Sequence, residues 1–262
     1  MPELPEVETV VRSLAGELVG RRVVGVTLRE RRLRGGVARD FPARLERRGK
    51  YVLAWLDDGA VWLVHLGMTG QLTLGPASRP DRVHDHVVVR LDDGRLLTFN
   101  DARRFGRVAV ITGSMLRDEA GDGVDPLADG FTADSLFVLT RRRRTSIKSL
   151  LMDQRRVAGL GNIYVNEILF HAAIRPGRRA GRLARVDCER LVTSTRRVLE
   201  EAIERGGSSI SDYRDGLGRA GEFQLRHQVY DRAEEPCRRC GARIRKRVHA
   251  GRSSFYCPRC QR

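Results

Sequence analysis

Hydrophobic and polar positions recur along this chain at two distinct periods. Near the start, Val7, Val10, Val11, Leu14 and Leu18 fall three and four residues apart, which places them on one face of a helix. Pro5 suits a first helical position, acids occupy the first turn and Gly20 provides a stop, so the pattern predicts a helix over 5–19. Pro2 and Glu3 then lie just ahead of its positive end. From 21 to about 112 the period shortens to strand-like runs, RRVVGVTL, YVLAWL, VWLVHL, HVVVRL and RVAVI, with DDG turn signals at 57–59 and 92–94. These runs predict an antiparallel sandwich or barrel-like domain. Residues 114–130 are acidic and contain Gly and Pro, as a connector would. Helical spacing returns in SIKSLLMDQ, NIYVNEILFHAAI and CERLVTSTRRVLEEAIERGG, so a mostly helical domain is expected over 131–207. The break VAGLGN at 157–162 is a Gly-rich turn that can present backbone N–H groups to phosphate. The stretch 206–221, glycine-rich and poor in hydrophobic residues, is expected to be a flexible loop.

Charge narrows the partner. A net +16 and a pI near 10.9 point to a polyanion, most simply nucleic acid. A membrane surface fits less well: the sequence has no apolar run of 18 residues, and Glu3, Glu6 and Glu8 stand where a signal peptide would be basic. The expectation is a cytoplasmic, nucleoid-associated protein with no membrane partner. Of the basic residues 46 are Arg and three are Lys, at 50, 148 and 246. An ammonium can shift its pKa and move protons where a guanidinium cannot, which makes the retained lysines candidates for chemistry. The run RRRR at 141–144, just ahead of a helix, is a candidate phosphate contact.

The C-terminus carries Cys237-x2-Cys240 and Cys257-x2-Cys260, sixteen residues apart. Two such knuckles supply four thiolates for one tetrahedral structural Zn²⁺, and the alternating apolar and basic residues between them suit a β-hairpin closed by the metal. Its turn is HAGR at 249–252, from which Arg252 would project. Cys188 is left as an unpaired thiol on a helix.

Taken in order, PELPEVET, RRGKY, HLGMTG, HDH, DARRFG, TSIKSLLMDQ, GLGNIYVNEILF, QVYDR and HAGRSSFYCPRCQ resemble the bacterial formamidopyrimidine-DNA glycosylases over almost the whole length. Leu4 favours this branch over the endonuclease VIII type. The resemblance implies an α+β protein of two lobes: an N-terminal helix and antiparallel β-sandwich (1–113), a linker (114–130), a helix–two-turn–helix domain with a lesion-capping loop (131–221), and a zinc β-hairpin (222–262). It implies a monomer that binds damaged double-stranded DNA, excises oxidised purines such as 8-oxoguanine and formamidopyrimidines, and nicks the abasic site by β,δ-elimination. The competing readings are an oxidised-pyrimidine glycosylase on the same scaffold and a non-catalytic DNA-binding protein.

The roles implied for this chain's residues make chemical sense. An α-amino group titrates near 8, about 2.4 units below lysine, so a useful fraction is a neutral nucleophile at pH 7. Pro2, once Met1 is removed, would attack C1′ and form an iminium with the sugar. Glu3 would be its general acid/base and Glu6 a supporting carboxylate. Lys50 matches a proton donor in β-elimination, and Arg252 a phosphate grip linked to δ-elimination. Lys148 matches a lysine associated with the damaged base. Met68, Arg103 and Phe105 match the residues that fill the gap left by a flipped nucleotide, and His84, Arg143 and Asn162 match phosphate-binding positions. Ala102, Ser149 and Asp231 depart from the usual family pattern.

Overall fold

The first helix, α1 (Leu4–Leu18), buries Leu4, Val7, Val10, Val11, Leu14 and Leu18, the stripe that its spacing predicts. It starts one residue earlier than expected, with Glu3 as cap and Pro5 in the second position. The structure, a computed structural model, describes residues 1–29, 44–56, 58–210 and 212–262; Asp57 of the first DDG turn and Ser211 of the glycine-rich stretch lie outside the described residues.

Among the described residues eight strands follow: β1 (Val23–Leu28), β2 (Arg44–Arg48), β3 (Tyr51–Trp55), β4 (Ala60–His65), β5 (Gln71–Gly75), β6 (Asp85–Leu91), β7 (Leu96–Asn100) and β8 (Arg107–Thr112). They pair antiparallel into two four-stranded sheets, ordered β1-β6-β7-β5 and β2-β3-β4-β8. One core joins the α1 stripe to Val52, Trp62, Val64 and Val108 of one sheet and Leu72, Val87, Val89 and Phe99 of the other. The opposite face of β3, β4 and β8 buries Leu53, Leu63, Ala109 and Ile111 against Leu116. That sheet is covered on both sides, which accounts for unbroken runs such as VWLV. Leu116 begins α2 (Leu116–Ala120), a short helix inside the stretch expected to be connective.

The rest of the chain forms α3 (Ala133–Thr140), α4 (Ile147–Met152), α5 (Asn162–His171), α6 (Arg185–Glu204) and a hairpin of β9 (Arg245–His249) and β10 (Arg252–Tyr256). Two compact units result: Met1–Ala120 with Ile203–Gln224, and Gly121–Ala202 with Leu225–Arg262. The glycine-rich stretch therefore belongs with the N-terminal unit, not with the helical domain to which its place in the sequence assigned it. The reason is a set of hydrogen bonds: Gly216 N–H donates to Ser13 Oγ at 2.9 Å, and Gly216 C=O accepts from Leu74 N–H at 2.8 Å.

Candidate active site and metal centre

Four parts of the N-terminal unit carry the residues singled out from sequence. At the start of α1, Met1 is exposed whereas Pro2, Glu3 and Glu6 are buried. Glu6 Oε2 accepts from Glu3 N–H at 2.8 Å and its Oε1 from Ser208 N–H at 2.7 Å. Tyr213 O–H donates to the Glu6 carbonyl at 3.0 Å, and burial with the Glu6 carboxylate nearby pushes that phenol's pKa up. Gly207 stands at φ +81°, and a Cβ there would lie 2.8 Å from Glu6 Oε1, so only glycine lets the loop backbone come this close. One carboxylate thus joins the N-terminus of α1 to the glycine-rich loop.

The second part is the β2–β3 turn. Gly49 and Lys50 connect the paired residues Arg48 and Tyr51, and Lys50 is 8% exposed. Three residues earlier, Arg47 Nε pairs with Glu8 at 2.9 Å and fixes β2 to α1. His65, its ring tilted against that of Tyr51 with centres 4.8 Å apart, is lowered to about pKa 4 by burial and by the positive charges of Lys50 and Arg107. It is neutral at pH 7 and accepts Gly67 N–H on Nδ1 at 3.1 Å.

The third part joins HLGMTG and DARRFG, which the fold brings into contact. Gly67 has φ +62°, and a Cβ there would lie 2.5 Å from Gly106 N and Phe105 C. The two loops meet backbone to backbone. Asp101, fully buried, holds both: Oδ1 accepts from Thr69 Oγ1 at 2.6 Å and Oδ2 from Gly106 N–H at 2.7 Å. Presented outward are Met68 (37% exposed), Phe105 (58% exposed) and Arg103, whose guanidinium lies 4.8 Å from the Phe105 ring centre. Two large apolar side chains held at the surface on braced loops are suited to enter a base stack. The fourth part is His84, half-buried, whose carbonyl accepts from Asp101 N–H at 3.0 Å. Asp101 was not anticipated; an acid between two apolar strands at the head of a turn was the available signal.

In the second unit, Arg141 of the arginine run stacks on Phe137 and donates to Leu183 C=O at 2.5 Å, so it serves the fold, whereas Arg143 is exposed. Asn162 opens α5 after the VAGLGN turn. Gln154 shapes that turn: its Nε2 donates to Met152 C=O at 2.9 Å and Leu160 C=O at 2.7 Å, and its Oε1 accepts from Gly159 N–H at 2.9 Å. Lys148 is 1% exposed, and its ammonium donates to Ser253 C=O at 2.5 Å and Ser254 Oγ at 2.9 Å. Both of these acceptors are on β10, where Ser254 Oγ also meets His249 Nδ1 at 2.9 Å. These bonds tie Lys148 to the strand that begins with Arg252.

The hairpin turn has His249 paired with Arg252, and Ala250 and Gly251 between them at φ 48° and 72°. This is a two-residue turn of the kind that suits strand twist, and Arg252 is exposed at its end. Two buried side chains hold the hairpin's base. Asn166 Oδ1 accepts from Phe255 N–H at 2.8 Å, and the Glu167 carboxylate accepts three backbone N–H groups, of Gln228, Val229 and Tyr230, at 2.8, 3.0 and 2.8 Å.

The sulfurs of Cys237, Cys240, Cys257 and Cys260 all lie within 4.8 Å of one another, with Cys237–Cys260 at 3.9 Å and Cys240–Cys257 at 3.4 Å. Tetrahedral zinc with Zn–S near 2.3 Å needs sulfurs about 3.8 Å apart, so the set fits. Backbone N–H groups of Arg239 and Cys260 point at Cys237 Sγ and Cys257 Sγ, both at 3.4 Å. Cys240 is lowered to about pKa 7, chiefly by a backbone hydrogen bond from Ala242, while burial and the neighbouring sulfurs push Cys260 up to about 12. Four thiolates in this space require a cation to balance them, and the cluster holds one structural Zn²⁺.

Comparison with known proteins agrees along the chain. The family described as formamidopyrimidine-DNA glycosylase N-terminal domain matches residues 1–108, the H2TH domain of the same glycosylases matches 123–214, and the zinc finger found in FPG and IleRS matches 234–262. The formamidopyrimidine-DNA glycosylases of Thiobacillus denitrificans and Thioalkalivibrio sulfidiphilus are 48% and 45% identical, with all of both chains covered. Among solved structures, a variant of the Lactococcus lactis FPG bound to DNA containing Fapy-dG is similar at TM-score 0.92, 34% identity and full coverage of both chains. MutM (FPG) of Thermus thermophilus is similar at TM-score 0.87 and 38% identity, covering 99% of this chain and 98% of that one.

Proposed function

This chain belongs to the formamidopyrimidine-DNA glycosylase family, and on that premise we propose how its own residues perform the chemistry. It is a base-excision repair enzyme that removes oxidised purines from damaged DNA and cleaves the resulting abasic strand.

Removal of Met1 makes Pro2 a secondary amine ahead of the positive end of α1, where an ammonium is disfavoured and the neutral nucleophile favoured. Its nitrogen attacks C1′, the bond from C1′ to the base breaks, and the base leaves with the electron pair and takes up the proton that the Pro2 nitrogen sheds. Glu3 gives a proton to the ring oxygen as the sugar opens, leaving an iminium between Pro2 and C1′. The iminium acidifies C2′; loss of that proton expels the 3′ phosphate, and a second elimination expels the 5′ phosphate. Lys50, whose ammonium depresses His65, supplies a proton and a charge for the phosphate. Arg252 grips the same backbone as a bidentate donor. Met68, Arg103 and Phe105 fill the gap in the duplex, and His84, Arg143 and Asn162 bind its phosphates. Lys148 acts indirectly, by holding the strand that carries Arg252. The zinc fixes the hairpin and takes no part in bond making. The protein works as a monomer on chromosomal DNA in the cytoplasm.

The observation that carries the reading is the burial of Pro2 and Glu3 at the head of α1, with Glu6 linking them to the loop that would cover an extruded base. Borohydride reduction in the presence of an 8-oxoguanine duplex tests it. Native protein forms a covalent adduct, and a retained Met1, which leaves the Pro2 nitrogen in a peptide bond, abolishes it. An adduct of undiminished yield from protein that keeps Met1 would refute Pro2 as the nucleophile.

A further inference from the structure

We propose that a pocket on the flank of the zinc hairpin is a second phosphodiester-binding site, one that holds the DNA backbone beyond the residues given to the lesion. The proposal rests on the DNA-binding function above. The pocket, about 430 Å³, is lined among others by Arg175, Arg178, Arg245, Arg247, His249 and Arg262, and by no Asp or Glu. Arg245, Arg247 and His249 are two residues apart on β9 and so share one face. On the other face Lys246 lies over the Phe255 ring.

Two of the arginines are held from behind. Arg175 donates from Nε to Gln261 C=O at 3.0 Å and from Nη2 to Pro258 C=O at 3.1 Å, and Arg178 pairs with Asp187 at 2.7 Å. Arg245 and Arg247 are exposed and, among the described residues, pair with no carboxylate. Arg178 has Asp187 as its counter-charge; the remaining guanidinium groups of the concavity repel one another, and an anion reverses that cost. Planar guanidinium forks match phosphate oxygens.

Position selects a nucleic acid over an acidic peptide. His249 pairs directly with Arg252 across the turn, so the row from Arg252 through His249 to Arg247 and Arg245 is continuous along one hairpin. Steps of two residues on a strand advance about 6.8 Å, the axial rise of two nucleotides of one DNA strand.

The test compares the double variant Arg245→Ala/Arg247→Ala with Arg12→Ala/Arg21→Ala, an equal loss of exposed charge in the other unit. Binding to an undamaged duplex is followed by fluorescence anisotropy between about 50 and 200 mM salt. The pocket variant should bind at least about tenfold more weakly than the control variant, with a salt slope shallower by about 1.8, the contribution of two phosphate contacts. Equal affinity and slope for the two variants would overturn the proposal. So would a pocket variant that loses binding to poly-glutamate while binding duplex as the control does, because the site would then serve acidic peptides. Native protein that neither binds duplex nor forms the borohydride adduct refutes the parent function, a result distinct from either of these.

Discussion

At the scale of single residues, Glu6 shows how one side chain can serve two elements. Its two oxygens each accept a backbone N–H, one from Glu3 and one from Ser208. Glutamine can accept with only one of them and would turn an NH₂ toward the other donor, leaving a buried N–H unpaired at a cost of about 1–3 kcal/mol. Release of the loop should harm base excision, which needs the extruded base held, more than cleavage of a ready-made abasic site, which has no base. Glu6→Gln is therefore expected to slow single-turnover excision of 8-oxoguanine at least about tenfold, for the loss of about 1.4 kcal/mol of transition-state stabilisation, and to slow abasic-site cleavage less. Equal losses in the two assays would show that the link to the loop is not its role. The sequence marked Glu6 only as a supporting acid, because its second partner lies 202 residues away. The four cysteines and the HAGR turn were legible because their chemistry is encoded within short spacings. Asp101 and Gln154 were not, since each satisfies a turn whose shape is known only once the fold exists.

At the scale of elements, periodicity marked α1, most strands, α4, α5 and α6 because each buries a continuous face. It passed over α3, eight residues headed by a Thr132–Ser135 capping box but preceding the arginine run, and α2, whose acidic sequence resembles a connector. The glycine-rich stretch read as flexible because its order comes from α1 and β5, not from its own side chains. The two loops presenting Met68, Arg103 and Phe105 depend on a similar long-range fit. Gly67→Ala would set a Cβ 2.5 Å from backbone at a positive φ, and backbone cannot move aside as a side-chain tip can. The expected cost is about 1–3 kcal/mol, a fall of about 2–4 °C in melting temperature for each kcal/mol. Binding to lesion duplex should weaken by a larger factor than binding to abasic single strand, where no gap needs filling. Unchanged melting would show that the loops are not in backbone contact.

At the scale of the whole molecule, the two units respond differently to acid and to metal. His65 in the first unit and His171 and His227 in the second are each lowered to about pKa 4, chiefly by burial and then by a nearby cation: Lys50, Arg197 and Arg238 respectively. A histidine whose folded pKa lies below its unfolded value near 6.5 binds its proton more readily unfolded, so stability falls as pH drops from about 6.5 toward 4. The slope is at most about 1.4 kcal/mol per pH unit for each group, and less for the half-exposed His65 and His171. Urea midpoints taken at pH 7 and pH 5 should therefore fall, more for the second unit than for the first; constant midpoints would contradict the burial of these rings. Zinc removal separates the units more sharply. The hairpin core of Phe170, Val229, Ile244 and Phe255 is built around Cys237 and Cys257, and a cluster this small depends on the metal for about 10–16 kcal/mol of apparent binding free energy. The cores of the first unit contain none of these residues. Both tryptophans, Trp55 and Trp62, lie in that first unit, so tryptophan emission reports its melting alone. Chelation at neutral pH should abolish DNA binding and shift the hairpin's transition while leaving the tryptophan-detected one in place, and re-addition of Zn²⁺ should restore binding. A tryptophan transition that moves with the chelator would mean that the first unit borrows its stability from the metal-held one.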